Sequence, residues 1–467
     1  MATRCKIVVD NIHGDIALTP EEWRVVDTGS FQRLRRLKQL GMGHLTYPNA
    51  THSRFAHSLG VFRVMCRIVE APGLNLQAEG KADLRMAALL HDVGHYPYSH
   101  LMERVDNVTL TDEAIEPKQG ELGLIEIEAV EKGYPDHEAL GRLILENRGD
   151  LLQAIGSKER AQRIGQLFSR SEAADQQLSK LIHSSLDMDR LDYLMRDARA
   201  AGVPYGEIDL NYLLNSIRIS PAGLVGVEQK ALAAAEHFLI ARLFMYRAVY
   251  YHKTTYAFEE ACRQLLKRIK NAGKYDMPRG GADIESLVFS EKFPDFDDGY
   301  VDSRVREAAS DQDPVIASLA KAIVERKAPK LVAEVSGLEE RKVRHNQAAM
   351  FRQDCKHHVP DLAKKFGIPI GQFLVCGPKP VKFEERSSHF DIQEARNLKP
   401  EEREELIMVF WNGETEPRSI VDVPNGVAAY CSQRVYGINR LYVVDSSQDG
   451  EARIQAMRQE VRKWESI

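Results

Sequence analysis

One stretch constrains this chain more than any other: Ala88-Leu89-Leu90-His91-Asp92-Val93-Gly94-His95-Tyr96-Pro97-Tyr98-Ser99-His100. Leu84, Ala87 and Ala88 lie one or two turns before His91, so an apolar helix face carries His91 and Asp92 towards the interior. Gly94 and Pro97 then break the pattern, which puts a helix end where polar groups gather. Adjacent imidazole and carboxylate groups can share a metal ion, one giving nitrogen and the other hard oxygen. Taken alone, the pair reads first as a helix-end contact without chemistry.

The rest of the chain supplies a large, mainly helical frame. With 467 residues, 43% of them hydrophobic, it can bury a sizeable core in more than one lobe. Lys and Arg number 63 against 68 Asp and Glu, so no basic field marks nucleic acid as the main partner; it stays possible but not favoured. Six scattered cysteines without CxxC spacing read as reduced thiols, and no signal peptide or membrane-length apolar run is expected; both point to a cytoplasmic protein.

Residues 5–18 suggest a hairpin turning at His13-Gly14-Asp15, and Thr19-Pro20-Glu21-Glu22 is a capping box that starts a helix. Helices are expected over most of Glu22–Thr111, then at Glu121–Glu131, Asp136–Asn147, Lys158–Ser169, Ala174–Ser184, Asp187–Ala201 and Glu228–Ala272. Ser216–Ser220 and Leu224–Val227 predict a second hairpin, turning at Pro221-Ala222-Gly223. After Lys274 the Pro- and Gly-containing segment with Asp295, Asp297 and Asp298 predicts a surface excursion. Strands are expected at Phe373–Cys376, Leu406–Phe410 and Leu441–Val444, then a charged helix from Glu451. The expected division is 1–273 as the catalytic core with its N-terminal segment and 274–467 as a smaller α+β lobe.

Four places could supply partners for His91-Asp92. They are His57; the pair His100 and Glu103, one helical turn apart; His137 behind the N-cap Asp136; and Asp187–Asp197. In the last, Leu191, Leu194, Met195 and Ala198 form one helix face, with Asp189, Asp192, Tyr193 and Arg196 opposite. Such a charged face is ordinarily solvated. Arg242, Tyr246, Tyr250 and Lys253 share helical spacing, a stripe suited to a phosphate chain and a flat ring, though alone it reads as packing. Cys355-Lys356-His357-His358 lacks a second ligand pair for zinc, and no phosphate-cradling G-x-x-x-x-G-K-[ST] loop occurs.

Read in order, these pieces resemble the HD-domain deoxynucleoside triphosphate triphosphohydrolases, which include the mammalian SAM-and-HD-domain enzyme. The matching text comprises Asp10, Ile12, His13 and Gly14; Asp27-Thr28; Phe31-Gln32-Arg33-Leu34-Arg35; Lys38-Gln39-Leu40-Gly41; Arg54–Val61; His91–His95 with Ser99-His100; Asp187–Tyr193; and Tyr250–Lys253. The resemblance implies an HD-domain helical core. It implies His57, His91, Asp92 and Asp189 as ligands of one divalent ion, with Mg, Mn, Fe, Ni and Zn undistinguished, and His100, Glu103 and His137 as acid–base groups. It assigns Gln39, Arg54, His95, Arg190, Tyr193, Asp197, Arg242, Tyr246 and Tyr250 to the substrate. Tyr246 replaces a histidine of the mammalian member, and Glu103 stands where some members have aspartate. An activating-nucleotide site is matched in part by Lys6, Asp27, Gln32 and Arg35, whereas Val9 departs from it. A homo-oligomer, dimer or tetramer, is expected by the same analogy. The implied reaction is metal-dependent hydrolysis of a dNTP to deoxynucleoside and triphosphate. A phosphodiesterase or nuclease on cyclic nucleotides or single strands, and a nucleotide-sensing regulator, are the readings weighed against it.

Overall fold

Several helix starts in this chain sit where capping residues stand, and they set the frame around the central stretch. The structure is a computed structural model. It describes residues 5–70, 74, 76–106, 133–169, 178–179, 182, 186–220, 225–340, 345–378, 381–382, 407–414, 417–423, 426–432, 434–445, 447 and 449–464. A hairpin opens it, β1 (Lys6–Asp10) against β2 (Gly14–Leu18), with Lys6 opposite Leu18. Then come α1 (Pro20–Val26), α2 (Gly29–Gln32), α3 (Arg54–Ile68), α4 (Ala78–Leu90), α5 (His100–Glu103), α6 (His137–Asn147), α7 (Gly149–Ile155), α8 (Lys158–Phe168) and α9 (Met188–Ala201). Thr19 and Glu22 close the expected capping box on α1, while Ser53, Asp136 and Asp187 cap α3, α6 and α9. The expected helix 121–131, most of 174–184 and the turn 221–223 lie outside the described residues.

The second half of the helical body is α10 (Leu210–Asn215), strands β3 (Ile217–Ile219) and β4 (Val225–Glu228), and α11 (Leu232–Met245). A π turn over Tyr246–Tyr250 and α12 (Lys253–Asn271) follow. The predicted surface excursion after Lys274 is corrected here. Helices α13 (Gly281–Phe289), α14 (Asp298–Ala308) and α15 (Pro314–Val324) pack onto the core, with Phe293, Phe296, Asp297 and Asp298 all buried. Two buried aromatic rings outweigh the polar residues that suggested a solvated loop.

The C-terminal part carries its own small core. It comprises β5 (Lys330–Glu340), α16 (His345–Phe366), β6 (Phe373–Cys376), β7 (Val381–Lys382), β8 (Met408–Phe410), β9 (Arg418–Ser419), α17 (Val427–Ser432), β10 (Arg434–Val443) and α18 (Gly450–Val461). In one sheet β10 pairs with β5, β6 and β7; Phe351, Cys355, Val359, Phe373 and Met457 pack in the associated apolar cluster. Strand β4 pairs parallel with β8, Gly226 opposite Met408, so another sheet joins segments from both sides of position 273. The fold is mainly α with a smaller α+β C-terminal part, as expected.

Two glycines set how closely the frame closes on the central stretch. A Cβ at Gly60 of α3 would stand 1.9 Å from Asp192 Oδ1, so α9 reaches α3 only because position 60 has no side chain. A Cβ at Gly94 would stand 2.0 Å from the His137 carbonyl oxygen and 2.3 Å from the Gly141 nitrogen. The central loop therefore lies directly on α6.

Candidate active site

Helices α3, α4 and α9 deliver one group of ligand-type side chains, in which atoms of His57, His91 and Asp92 lie within 4.8 Å of one another. His57, fully buried on α3, donates from Nδ1 to Asp192 Oδ2 at 2.8 Å, which turns Nε2 towards the group. That Nε2 is buried without a hydrogen-bond partner, although Asp189 Oδ1 stands 2.9 Å and Asp92 Oδ2 3.7 Å away. His91 ends α4, its Nδ1 bonded to the Ala88 carbonyl at 2.9 Å. Its Nε2 also lacks a hydrogen bond and lies 3.2 Å from Asp92 Oδ1 and 3.9 Å from Asp189 Oδ1. Asp189 keeps 42% of its side chain exposed, which leaves the open side of the group.

Burial works against a proton on His57, yet the adjacent carboxylates of Asp189, Asp192 and Asp92 push its imidazole up to about 10. Burial likewise opposes charge on Asp92, but Arg54, His91 and His95 hold its carboxyl well below the usual range. An anionic pocket that retains a proton on an imidazole accepts a cation in its place. Two partnerless imidazole nitrogens and two carboxylates are the donor set of a divalent ion.

A second group lies across Asp92. His95 Nε2 approaches Asp92 Oδ1 at 3.1 Å, and the His95 ring stacks on His137 at 4.1 Å between centroids. Glu103 joins His100 and His137, accepting from the Nδ1 of each at 2.7 Å and 3.0 Å and from the His137 backbone N–H at 3.2 Å. Ligand atoms of His95, His100, Glu103 and His137 also lie within 4.8 Å of one another. However, the nearly parallel His95 and His137 rings direct their lone pairs side by side rather than to one point.

The electrostatics divide the two histidines that meet Glu103. Burial lowers the His100 imidazole, despite Glu103. For His137 burial acts in the same direction, but the Glu103 hydrogen bond and charge outweigh it and raise the imidazole. Burial would raise Glu103 itself, yet its two imidazole partners hold it far below the carboxylate range. His95 is kept neutral by burial together with Arg54 and His137.

A cavity of about 640 Å³ opens onto both groups, lined by His91, Asp92, Asp189, His95, His100 and His137. All nine side chains expected at the substrate line it: Gln39, Arg54, His95, Arg190, Tyr193, Asp197, Arg242, Tyr246 and Tyr250. Glu103 and His57 stand behind this wall rather than in it. Arg54 pairs with Asp92 at 2.6 Å, and Asp197 accepts from Tyr250 at 2.8 Å and meets His52 Nε2 at 2.7 Å. Gln39 Oε1 and Arg242 Nε are buried without hydrogen-bond partners.

Two readings are corrected. Lys253 does not continue the Arg242 stripe, because the π turn, closed by Tyr251 N–H to the Tyr246 carbonyl at 2.8 Å, ends that helix. Lys253 instead begins α12, exposed and off the cavity. Asp192 and Arg196 are not on a solvated face; both are buried, and their face of α9 meets α3 and the hairpin. Asp192 also meets His13 Nε2 at 2.6 Å and accepts from Arg196, whose guanidinium reaches Asp10 at 2.9 Å. The spacing of Asp192 one turn beyond Asp189 was the available signal for this supporting carboxylate. Sequence reasoning also missed the α12 wall of Thr255, Tyr256, Glu259, Glu260 and Arg263, which carries no motif.

The four residues matched to an activating-nucleotide site gather about α1 and α2. Lys6 lies 3.9 Å over the Trp23 ring and Asp27 is exposed at the end of α1. Gln32 bonds to the Val26 carbonyl and accepts from Arg35, which lies 3.5 Å over Phe55.

Residues 54–196, spanning both groups, match the HD domain, and residues 208–402 match the HD associated region. The chain thus carries an HD domain. An uncharacterised protein of Methanocaldococcus jannaschii is 34% identical over 252 residues, 53% of this chain and 46% of that protein. An uncharacterised protein of Bacillus subtilis is 32% identical over 271 residues, 57% of this chain and 56% of that one. This chain thus spans about half the length of these curated relatives. The human deoxynucleoside triphosphate triphosphohydrolase is 43% identical over 103 residues, 21% of this chain and 16% of that enzyme. Two solved structures share the fold at 21% and 22% identity. One is a phosphohydrolase from Bacteroides thetaiotaomicron, with TM-score 0.67 and 94% of this chain covered. The other is a hypothetical protein from Aquifex aeolicus, with TM-score 0.68 and 98% covered. Each solved chain is itself covered in full.

Proposed function

We propose that this HD-domain chain is a metal-dependent phosphohydrolase that converts deoxynucleoside triphosphates to deoxynucleoside and intact triphosphate. One observation carries the reading: a single cavity is lined by His91, Asp92 and Asp189 of the metal-type group, by two histidines bonded to Glu103, and by arginines and tyrosines that include Arg54, Arg190, Arg242, Tyr193, Tyr246 and Tyr250. His57, His91, Asp92 and Asp189 would hold the divalent ion. When bound, such an ion supplies Lewis acidity towards the phosphoryl oxygens.

The chain's own residues account for the remaining roles. Arg54, Arg190 and Arg242 offset charge along the triphosphate, and Tyr193, Tyr246 and Tyr250 pack against the nucleoside. Water attacks the phosphorus nearest the sugar, the bond from that phosphorus to the 5′ oxygen breaks, and the oxygen takes a proton. His137, raised by Glu103, is the better proton store, while His100 reaches the cavity from the other side of the same carboxylate. We also propose a homo-oligomeric, cytoplasmic protein responsive to an activating nucleotide. Exposed Ile7 and Val9 on β1 support the assembly, and among the described residues no helix is long and apolar enough to cross a membrane.

The test is incubation with each dNTP and Mg²⁺ or Mn²⁺, followed by anion-exchange separation. Deoxynucleoside and triphosphate are expected as first products. Pyrophosphate with a nucleoside monophosphate would refute the assignment, cleavage of cyclic nucleotides or single strands alone would favour a phosphodiesterase, and tight binding without turnover would favour a sensor.

A further inference from the structure

Between Asp92 and α5 the active-site loop takes a conformation that its sequence disfavours. Tyr98 has φ 53° and Ser99 φ 58°, two successive side-chain-bearing residues in the left-handed region. Ser99 directly precedes His100, and its Oγ accepts from Arg54 Nε at 2.8 Å. Such a conformation persists only where surrounding contacts impose it.

Contacts on this loop come from outside the 54–196 HD domain, among them the Tyr98 hydroxyl donating to Asp302. Asp298, 2% exposed at the start of α14, accepts the Tyr98 backbone N–H on Oδ1 at 2.9 Å. Its Oδ2 accepts the Lys38 backbone N–H at 3.0 Å and the Lys38 ammonium at 3.2 Å. Ser99 Oγ lies 3.3 Å from the Lys38 carbonyl oxygen, so the two segments bridged by Asp298 also meet each other. The start of α14 is firmly held. The cap Asp297 accepts from Gly299 at 2.9 Å and pairs with Arg36, while Phe293, just upstream, packs under Arg33, which donates to the His95 carbonyl.

We propose that Asp298 is a positioning residue: it holds the 96–100 loop in its left-handed form and thereby sets His100 and the Arg54–Ser99 contact. Asp298 does not line the cavity, whereas Tyr98, Ser99 and His100 do. It acts through them. The HD associated region, which contains Asp298, thus shapes the catalytic loop as well as supplying cavity wall. The inference rests on the reading of His100 as an acid–base group.

The test compares Asp298→Ala and Asp298→Asn with Asp83→Asn. Asp83 is also a buried carboxylate, paired with Arg160 at 2.8 Å between α4 and α8, away from the loop. Each full-length, metal-loaded chain is assayed where circular dichroism shows it folded. Asp298→Ala is expected to lower kcat about a hundredfold with KM changed less than about threefold. Bound metal should stay unchanged and the Tyr98 amide should exchange faster. Asp298→Asn, which keeps one acceptor, should recover about tenfold of that loss. In a His100→Ala background the Asp298→Ala change should cost markedly less, about tenfold or under, because only the route through the Arg54–Ser99 contact remains. The full effect persisting without His100, an equal kcat loss in Asp83→Asn, or loss of metal in step with activity would each overturn the proposal. If the unsubstituted chain turns over no nucleotide, the nucleotide reading fails separately. Exchange at Tyr98 then decides the positioning claim, and an unaltered rate in Asp298→Ala overturns it.

Discussion

At the scale of single residues, the site works by setting groups of one chemical type to different tasks. His57 and His91 turn partnerless nitrogens inward because their other ring nitrogens are engaged by Asp192 and the Ala88 carbonyl. Asp192→Asn removes the acceptor that orients His57, so metal affinity should fall about ten- to a hundredfold. Titration of the folded, metal-free variant with Mn²⁺ measures this, and unchanged affinity would make Asp192 a packing residue only. His137 and His100 share Glu103 yet shift in opposite directions: burial lowers His100, while for His137 the Glu103 contact outweighs burial and raises it. If His137 supplies the proton, the protonated form is the active one. Turnover should then persist above pH 6.5 and decline as pH climbs through the raised His137 value. His137→Ala should lower kcat by at least about a hundredfold and abolish that basic limb. A limb that survives the substitution assigns the proton elsewhere.

At the scale of elements, the site depends on close approaches more than on any one helix. The central loop rests on α6 at Gly94, where backbone atoms, which cannot swing aside, occupy the space of a Cβ. Gly94→Ala should therefore destabilise by about 3 kcal/mol, seen as a lower Tm, and separate His95 from His137. An alanine variant with native Tm and turnover would show that the loop can shift at no cost. The π turn is the other element-scale device. It keeps Arg242, Tyr246 and Tyr250 on the cavity, sets Tyr246 and Tyr250 edge to face with centroids 5.0 Å apart, and then turns the chain so that Lys253 leaves. A regular helical period, the only pattern the sequence displays here, overextended this stripe by one residue.

At the scale of the whole molecule, the hairpin couples the chain's start to its centre through His13 and Asp10, which meet Asp192 and Arg196. Its outer edge exposes Val9 by 80% and Ile7 by 63%. For the proposed homo-oligomer, Val9→Asp should shift light scattering towards a smaller species, whereas a monomer in both proteins would remove the proposal. The local order of the chain was legible beforehand: the capping box at Thr19, the helix ending at His91, and the cap Asp136 all stand where local chemistry puts them. The residues gathered at the cavity were legible through motif resemblance, since each motif carries its own side chains. The rest followed from tertiary contact alone. Whether the Asp192–Arg196 face met water or protein depended on the missing side chain at Gly60, 132 positions away in sequence order. Whether Asp298 lay on a surface loop or beneath the active site depended on Phe293 and Phe296 finding a pocket against Arg33 and Tyr96. Local sequence determines which hydrogen bonds and periodicities a segment can satisfy by itself; burial of a charge is decided only when a distant segment brings it a partner.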